Sequence, residues 1–417
     1  MANLVINGGR VLKGSVTISG SKNATLPILA ATLLTKEVVE LRNLPDIGDI
    51  HTMLEILKAI GSEFEYGKNK LRIQTKKIDV KNLPNDLCCK MRASILLLAP
   101  LLSRVGKVDL PYPGGCVLGK RSAHSHIAVL EAFGAKQVKK SSDSLAFAGK
   151  FKSTHLTMPE FSVTATENAI MAAVLAHGKT QIHLAALEPH VRDLCNFLVK
   201  LGAKIGGIGT HNLTVVGVRS LHGGKHDVIS DYLEAGTFLL AGALTKGEVT
   251  VKNIDPEDLD AFLYLLTEMG VPVKINSNSI TVKPYNVLNS CRRLQTNVFP
   301  GFPTDLQPPF SILLTQAKGE SLIHETLFEG RFKYFDELEK MGAKITVHNP
   351  HEAVVVGPAK LNGKKVRSWD LRAGAAMVLA GLIAKGRTVV TDIAYIDRGY
   401  ERFEEKLRSI GAEIHRE

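Results

Sequence analysis

Twelve residues, Leu110-Pro-Tyr-Pro-Gly-Gly-Cys-Val-Leu-Gly-Lys-Arg121, hold two prolines, three glycines, one cysteine and a basic pair. Gly114, Gly115 and Gly119 tolerate backbone angles other residues avoid, and Pro111 and Pro113 fix their own φ, so the stretch reads as a shaped surface loop. Cys116 has Arg104, Lys107, Lys120 and Arg121 close by in sequence. Nearby cations lower a thiol pKa and make it an acid, base or nucleophile. A small inert thiol beside a glycine turn is the other reading.

Further polar residues interrupt apolar helices at their starts. They are Lys22 and Asn23, Arg92, Glu167 and Asn168, Asp231 and Glu234, Asp305, and Asp370 and Arg372. A helix N-terminus offers unpaired N–H groups and the positive end of a dipole, so Lys22 or Arg92 placed there favours a phosphate or carboxylate. Asp231 reads first as a helix cap. Asp305 and Asp370 are harder to reduce to caps, because arginine-bearing loops around Arg331 and Arg398 occur in the same half of the chain. The forked donors of arginine match carboxylate and phosphate alike. No P-loop, dinucleotide glycine fingerprint or metal triad is present. The residues thus suggest a transferase for anionic substrates that uses no cofactor and no metal.

What must position these residues is a repeat. An amphipathic helix end, an apolar residue, glycine and then a strand recur six times, with glycines at Gly61, Gly134, Gly202, Gly270, Gly342 and Gly411. Glycine suits the left-handed position that stops a helix before a strand. A second, small-residue-rich apolar helix precedes each phrase, as in Ala169–Leu175, Gly236–Leu244 and Gly374–Leu382. Apolar on nearly every face, these helices belong in the interior, and the charged helices nearer solvent. Each unit of about 70 residues reads strand–helix–strand–helix–strand–strand. Six units suggest an α/β protein of two three-unit domains, with helices central and sheets outside. A solenoid stack is the alternative the period leaves open. The boundary falls near 220–230, and residues 1–21 are expected to return to the second domain.

The bulk numbers agree with a globular enzyme. The chain has 417 residues, 45% hydrophobic and 22% charged, enough for two domains. Ala93–Leu102 is the longest apolar candidate and is too short to span a bilayer. The N-terminus shows no signal-peptide pattern. Five cysteines without zinc spacing point to a reducing compartment. The formal net charge of +11 comes without a basic cluster or an aromatic-interleaved stripe, so an anionic small substrate explains it better than nucleic acid.

The set Ser21-Lys-Asn-Ala24, Lys90-Met-Arg-Ala-Ser94, Pro113-Gly-Gly-Cys116, Phe302-Pro-Thr-Asp305, Glu329-Gly-Arg-Phe332, Asp370-Leu-Arg-Ala373 and Ile396-Asp-Arg-Gly-Tyr-Glu401 resembles the UDP-N-acetylglucosamine 1-carboxyvinyltransferase family of enolpyruvyl transferases, over essentially the whole chain. The resemblance implies two inside-out α/β barrels, 22–229 and 230–417 with 1–21 returning, and an active site in the cleft between them. It implies transfer of the enolpyruvyl group of phosphoenolpyruvate to the 3′-hydroxyl of UDP-N-acetylglucosamine, the first committed step of peptidoglycan synthesis. A cytoplasmic monomer without membrane or nucleic-acid partners is expected.

Carried over by position, Cys116 is the acid toward C3 of phosphoenolpyruvate, and the target of fosfomycin-type epoxides. Asp305 is the base for the sugar hydroxyl. Lys22, Arg121 and Arg398 hold the phosphate and carboxylate, with Arg92, Arg331, Asp370 and Arg372 around them. Asn23, Ser122, Ala123, His124, Ser125, Ser162, Val163, Thr164 and Leu327 complete the expected substrate contacts. The sequence departs from the family pattern in four places. Ser122-Ala-His-Ser-His126 replaces a proline- and aspartate-bearing stretch that contacts uridine. Glu160 stands where some members have lysine, Tyr232 replaces a common arginine, and Ala394-Tyr395 a histidine-bearing pair.

Overall fold

The repeated glycine stops a helix six times in one way. The computed structural model describes residues 2–114, 122–140 and 142–417. In it Gly61, Gly134, Gly202, Gly270, Gly342 and Gly411 have φ of +111°, +94°, +98°, +96°, +107° and +105°, where a Cβ costs about 1–2 kcal/mol. Gly202 N–H returns to Val199 O at 2.9 Å and Ala203 N–H to Leu198 O at 3.0 Å, a pattern repeated at the other five glycines. These bonds satisfy carbonyls that the helix end leaves open.

The strands that follow build the expected unit. In the third repeat the order is His155–Thr157, Val163–Ala173, Lys179–His183, Pro189–Lys200, Lys204–Gly206 and Asn212–Val216. Lys179–His183 pairs in parallel with the leading strand and antiparallel with Asn212–Val216. The second repeat differs. Its sheet has three strands among the described residues, and a 3-10 turn (Val80–Asn82) and a short helix (Asn85–Lys90) occupy the place of a leading strand. Asp79 caps that turn by accepting Lys81 N–H at 3.0 Å, and Pro84 cannot donate to a ladder.

Two leading strands are exchanged. Lys13–Thr17 precedes the first buried helix in sequence but pairs with Glu248–Lys252 of the fourth repeat. Gly224–Asp227 precedes the fourth buried helix but pairs with Val39–Arg42 of the first. Leu4–Asn7 lies between Arg387–Thr391 and Glu413–Arg416. The chain accordingly divides into two compact units, one of residues 2–19 and 230–417 and the other of the described residues from 20 to 229.

Each unit places three mutually packed helices at its centre and its sheets around them. In the first unit these are Tyr232–Leu244, Gln307–Leu314 and Leu371–Ile383. All of Tyr232–Leu244 is buried. Gly236 is needed there, since a Cβ would lie 2.7 Å from a methyl of Leu306. In the other unit Lys22–Ala31, the joined 3-10 and α segments Arg92–Leu97 and Leu98–Val105, and Val163–Ala173 fill the same role, Lys22–Ala31 packing on the 3-10 part. Each buried leucine contributes about 2 kcal/mol of transfer free energy, so the helix starts, where polar residues sit, are held on a rigid frame. No helix among the described residues is long and apolar enough to cross a membrane.

Candidate active site

Asp305 lies in the 3-10 turn Thr304–Leu306 that opens helix Gln307–Leu314. It caps nothing there. Arg331 Nη2 donates to its Oδ1 at 2.5 Å and Arg372 Nε to its Oδ2 at 3.1 Å. The two arginine side chains are 1% and 2% exposed while the aspartate is 29% exposed, so two buried cations stand behind a carboxylate that reaches the surface. Burial pushes the Asp305 pKa up, but Arg372 and Arg331 outweigh it and hold the carboxyl well below its usual range. Burial likewise opposes the charge of Arg331, and Asp305, Asp370 and Glu325 overcome it.

The clamp has its own supports. The Arg372 guanidinium sits 5.1 Å from the centre of the Tyr400 ring, whose hydroxyl pairs with Thr237 Oγ1 at 2.9 Å. The Arg331 guanidinium sits 5.5 Å from the Phe328 ring. Among the described residues, Nη1 and Nη2 of Arg372 and Nε of Arg331 are buried with no acceptor at full hydrogen-bond geometry, the Tyr400 hydroxyl being the polar group that supports Arg372. Buried donors in that condition suit an anion.

Asp370 does what Asp231 does. Its Oδ1 accepts Arg372 N–H at 2.7 Å and Ala373 N–H at 2.9 Å, capping helix Leu371–Ile383, just as Asp231 accepts Leu233 and Glu234 N–H. Capping also fixes the start of the helix that carries Arg372. Arg398 is half-buried in the turn leading to Tyr400. Leu327 is exposed and donates its N–H to Glu325 Oε1 at 3.0 Å. Glu325 went unnoticed in the sequence. It is fully buried, and it also accepts the hydroxyls of Thr296 at 3.0 Å and Thr304 at 2.9 Å, which pins the turn bearing Asp305. The only local signal is a glutamate directly after the alternating strand Gly319–His324.

In the other unit Lys22 opens its helix behind the cap Ser21, and its Nζ meets Asp49 Oδ2 at 2.7 Å. Asn23 is half-buried beside it. Arg92 opens the 3-10 turn Arg92–Leu97 and donates from Nη2 to Ser122 O at 2.7 Å. Tyr112 Oη accepts Ala123 N–H at 3.1 Å, and Ser122 Oγ accepts His124 N–H at 2.9 Å. Ser125 Oγ donates to Glu160 Oε1 at 2.5 Å. Ser162 and Val163 start the helix that carries Thr164. Arg92 and the segments 122–125 and 160–164 are therefore brought together, with Tyr112 and Glu160 as members that the sequence did not assign. Cys116 and Arg121 lie outside the described residues.

Beneath them is His126. Its Nδ1 meets Asn168 Nδ2 at 2.9 Å and its Nε2 meets Thr164 Oγ1 at 3.1 Å. The amide nitrogen donates, so Nδ1 accepts and the proton sits on Nε2. Burial, then Arg92, pushes the imidazole pKa down to about 3, and the ring is neutral.

Comparison with known proteins agrees with this architecture. The fold defines an enolpyruvyl transferase: a crystal structure of the enolpyruvyl transferase NikO from Streptomyces tendae matches with a TM-score of 0.90 at 27% identity, over 100% of this chain and 99% of that one. An EPSP synthase from Acinetobacter baumannii shares the fold, with a TM-score of 0.77 at 18% identity over both full chains. The family model for EPSP synthase (3-phosphoshikimate 1-carboxyvinyltransferase) matches residues 6–407. A relative from Koribacter versatilis named UDP-N-acetylglucosamine 1-carboxyvinyltransferase is 44% identical over 100% of this chain and 96% of its own. One of the same name from Magnetococcus marinus is 43% identical over 100% and 99%. The chain belongs to the UDP-N-acetylglucosamine 1-carboxyvinyltransferase family within the enolpyruvyl transferases.

Proposed function

We propose that the chain transfers the enolpyruvyl group of phosphoenolpyruvate to the 3′-hydroxyl of UDP-N-acetylglucosamine and releases phosphate, the first step of peptidoglycan synthesis, as a monomer in the cytoplasm. The observation that carries this reading is the full-length match, at 43% to 44% identity, to relatives with that name. The arginine-backed Asp305 supports it, because the reaction needs a fixed acceptor for a hydroxyl and cations for an anionic intermediate.

In this reading the sugar oxygen bonds to C2 of phosphoenolpyruvate while Cys116 gives its proton to C3. A proton then leaves C3 as the C2–O bond to phosphate breaks, and the double bond re-forms. Asp305 takes the hydroxyl proton. A carboxylate held by two arginines is a weak base, so that transfer must come late, once the forming C–O bond has made the hydroxyl acidic. Lys22, Arg121 and Arg398 hold the phosphate and carboxylate. Arg331, Arg372 and Asp370 hold Asp305 in place. Arg92 stands with Lys22, Arg121 and Arg398 around the phosphate and carboxylate, Asn23 and Leu327 contact the sugar, and Ser122–Ser125 and Ser162–Thr164 contact the nucleotide.

A second reading, turnover of a different nucleotide sugar, draws support from the altered segment Ser122–Ser125. Phosphate release from phosphoenolpyruvate, with UDP-N-acetylglucosamine, other nucleotide sugars and shikimate 3-phosphate offered in turn, separates these. Release with UDP-N-acetylglucosamine is expected, and its absence would sink the first reading. Cys116→Ser should lower turnover by about 100-fold or more and abolish epoxide labelling. Unchanged turnover would remove Cys116 as the acid.

A further inference from the structure

Glu160 stands just ahead of helix Val163–Ala173, in a turn that Ser162 N–H closes on Glu160 O at 2.8 Å. Its Oε1 takes the Ser125 hydroxyl at 2.5 Å, and its Oε2 has no partner among the described residues. The four side chains of Ser122–Ser125 include no carboxylate. The segment's other ties use three backbone atoms, Ser122 O, Ala123 N–H and His124 N–H, and the Ser122 hydroxyl that accepts the last of these. Glu160 thus brings to the segment an acceptor-only group that the segment lacks, with one oxygen already fixed in direction.

We propose that Glu160 is a specificity-determining residue of the nucleotide site: Ser125 holds one carboxylate oxygen so that the other accepts the imide N–H of a uracil-type base. This rests on the substrate reading given above. An ionised carboxylate only accepts. A uracil ring offers N3–H, whereas a cytosine ring offers a lone pair at N3, which the carboxylate repels. A hydrogen bond to a charged group corresponds to roughly 10- to 100-fold in affinity. The plainer role, a carboxylate at the N-terminus of helix His124–Ala132, whose cap residue Ala123 has no side-chain bond, would act on stability and on both nucleotides alike.

The test uses the full chain, wild type against Glu160→Ala and Glu160→Gln. The Ala variant should raise KM for UDP-N-acetylglucosamine about 10- to 100-fold, with kcat and KM for phosphoenolpyruvate moving far less. Calorimetric titration with UMP and CMP, which needs no turnover, should show a wild-type preference for UMP that collapses in the Ala variant. The Gln variant keeps an acceptor oxygen and should recover part of that preference; it replaces the Ala variant if that one fails to fold. A UMP preference intact in the variants, or equal loss for both nucleotides, overturns the proposal. Absence of wild-type phosphate release alongside a Glu160-dependent UMP preference would overturn the reaction and leave this assignment standing.

Discussion

Around Asp305 the buried groups stay ionised, while around His126, in the other unit, burial takes the charge away. Arg331 and Arg372 approach Asp305 within 2.5 Å and 3.1 Å, and their attraction exceeds the desolvation that opposes it. Among the described residues the partners of His126 are an amide and a hydroxyl, neither of them an anion, and Arg92 adds to the burial that drives the proton off. Glu167, one helical turn beyond Val163, is also buried, and burial, then Glu188, raises its pKa well above the ordinary carboxyl range. Removing an ion from water costs several kcal/mol unless a partner lies close. Charge therefore persists where three ions share one clamp that can meet an anionic substrate, and is lost where the polar groups only tie one helix to another.

The largest expected break in that contrast is Asp305→Ala. It takes the hydrogen-bonded carboxylate away from two buried arginines, which should cost about 3–5 kcal/mol in denaturant unfolding and abolish phosphate release. A variant as stable as wild type would show that the clamp does not hold the fold there.

The next concerns His126. Its folded pKa of about 3 lies below the 6.5 of a free histidine, so between those values the unfolded chain binds more protons. Its contribution to stability is complete above pH 6.5 and falls by roughly 1.4 kcal/mol per pH unit as pH drops toward 3. Between pH 7.5 and 5, His126→Gln should lose about 2 kcal/mol less than wild type, read from urea melts at both values. An unchanged difference would mean that the ring is charged in the folded chain.

Glu167 has the opposite sign. With its folded pKa raised above 4.5, the folded chain holds a proton that the unfolded chain has released, so stability falls as pH rises from 4.5 toward the folded value. Its Oε1 also lacks a hydrogen-bond partner among the described residues. Glu167→Gln should stabilise the chain at pH 8, and the gain should shrink toward pH 4.5. A loss at pH 8 would place an ionised, well-bonded carboxylate there instead.

Much of this was legible in the chain itself. The helix-stopping glycines, the apolar helices and the turns between strands are written in adjacent residues, because a left-handed helix stop and a helix buried on all faces are set by local chemistry. Six repeats and central helices follow from that alone, as does the Asp231 cap. Which sheet a leading strand joins does not. The sequence already places the segment holding Lys13–Thr17 with the second domain, but the sheet that it and Gly224–Asp227 each join is decided only in the packed chain. The absent leading strand of the second repeat is partly local, since Asp79 and Pro84 are visible in sequence, but its neighbours take up the sheet without it.

The same division runs through the site. Residue types at helix starts, and the family motifs they form, nominate Asp305, Arg331 and Arg372 from sequence. That Asp305 is the residue between the other two, that Asp370 is spent on a cap, that Glu325 pins the turn of Asp305 and that Glu160 takes the Ser125 hydroxyl were decided by the fold. The physical reason is the reach of each interaction. Backbone conformation and apolar periodicity act over a few residues along the chain. Ionisation and hydrogen-bond partnership act across a few ångströms of space, between residues that for Arg372 and Asp305 stand 67 positions apart.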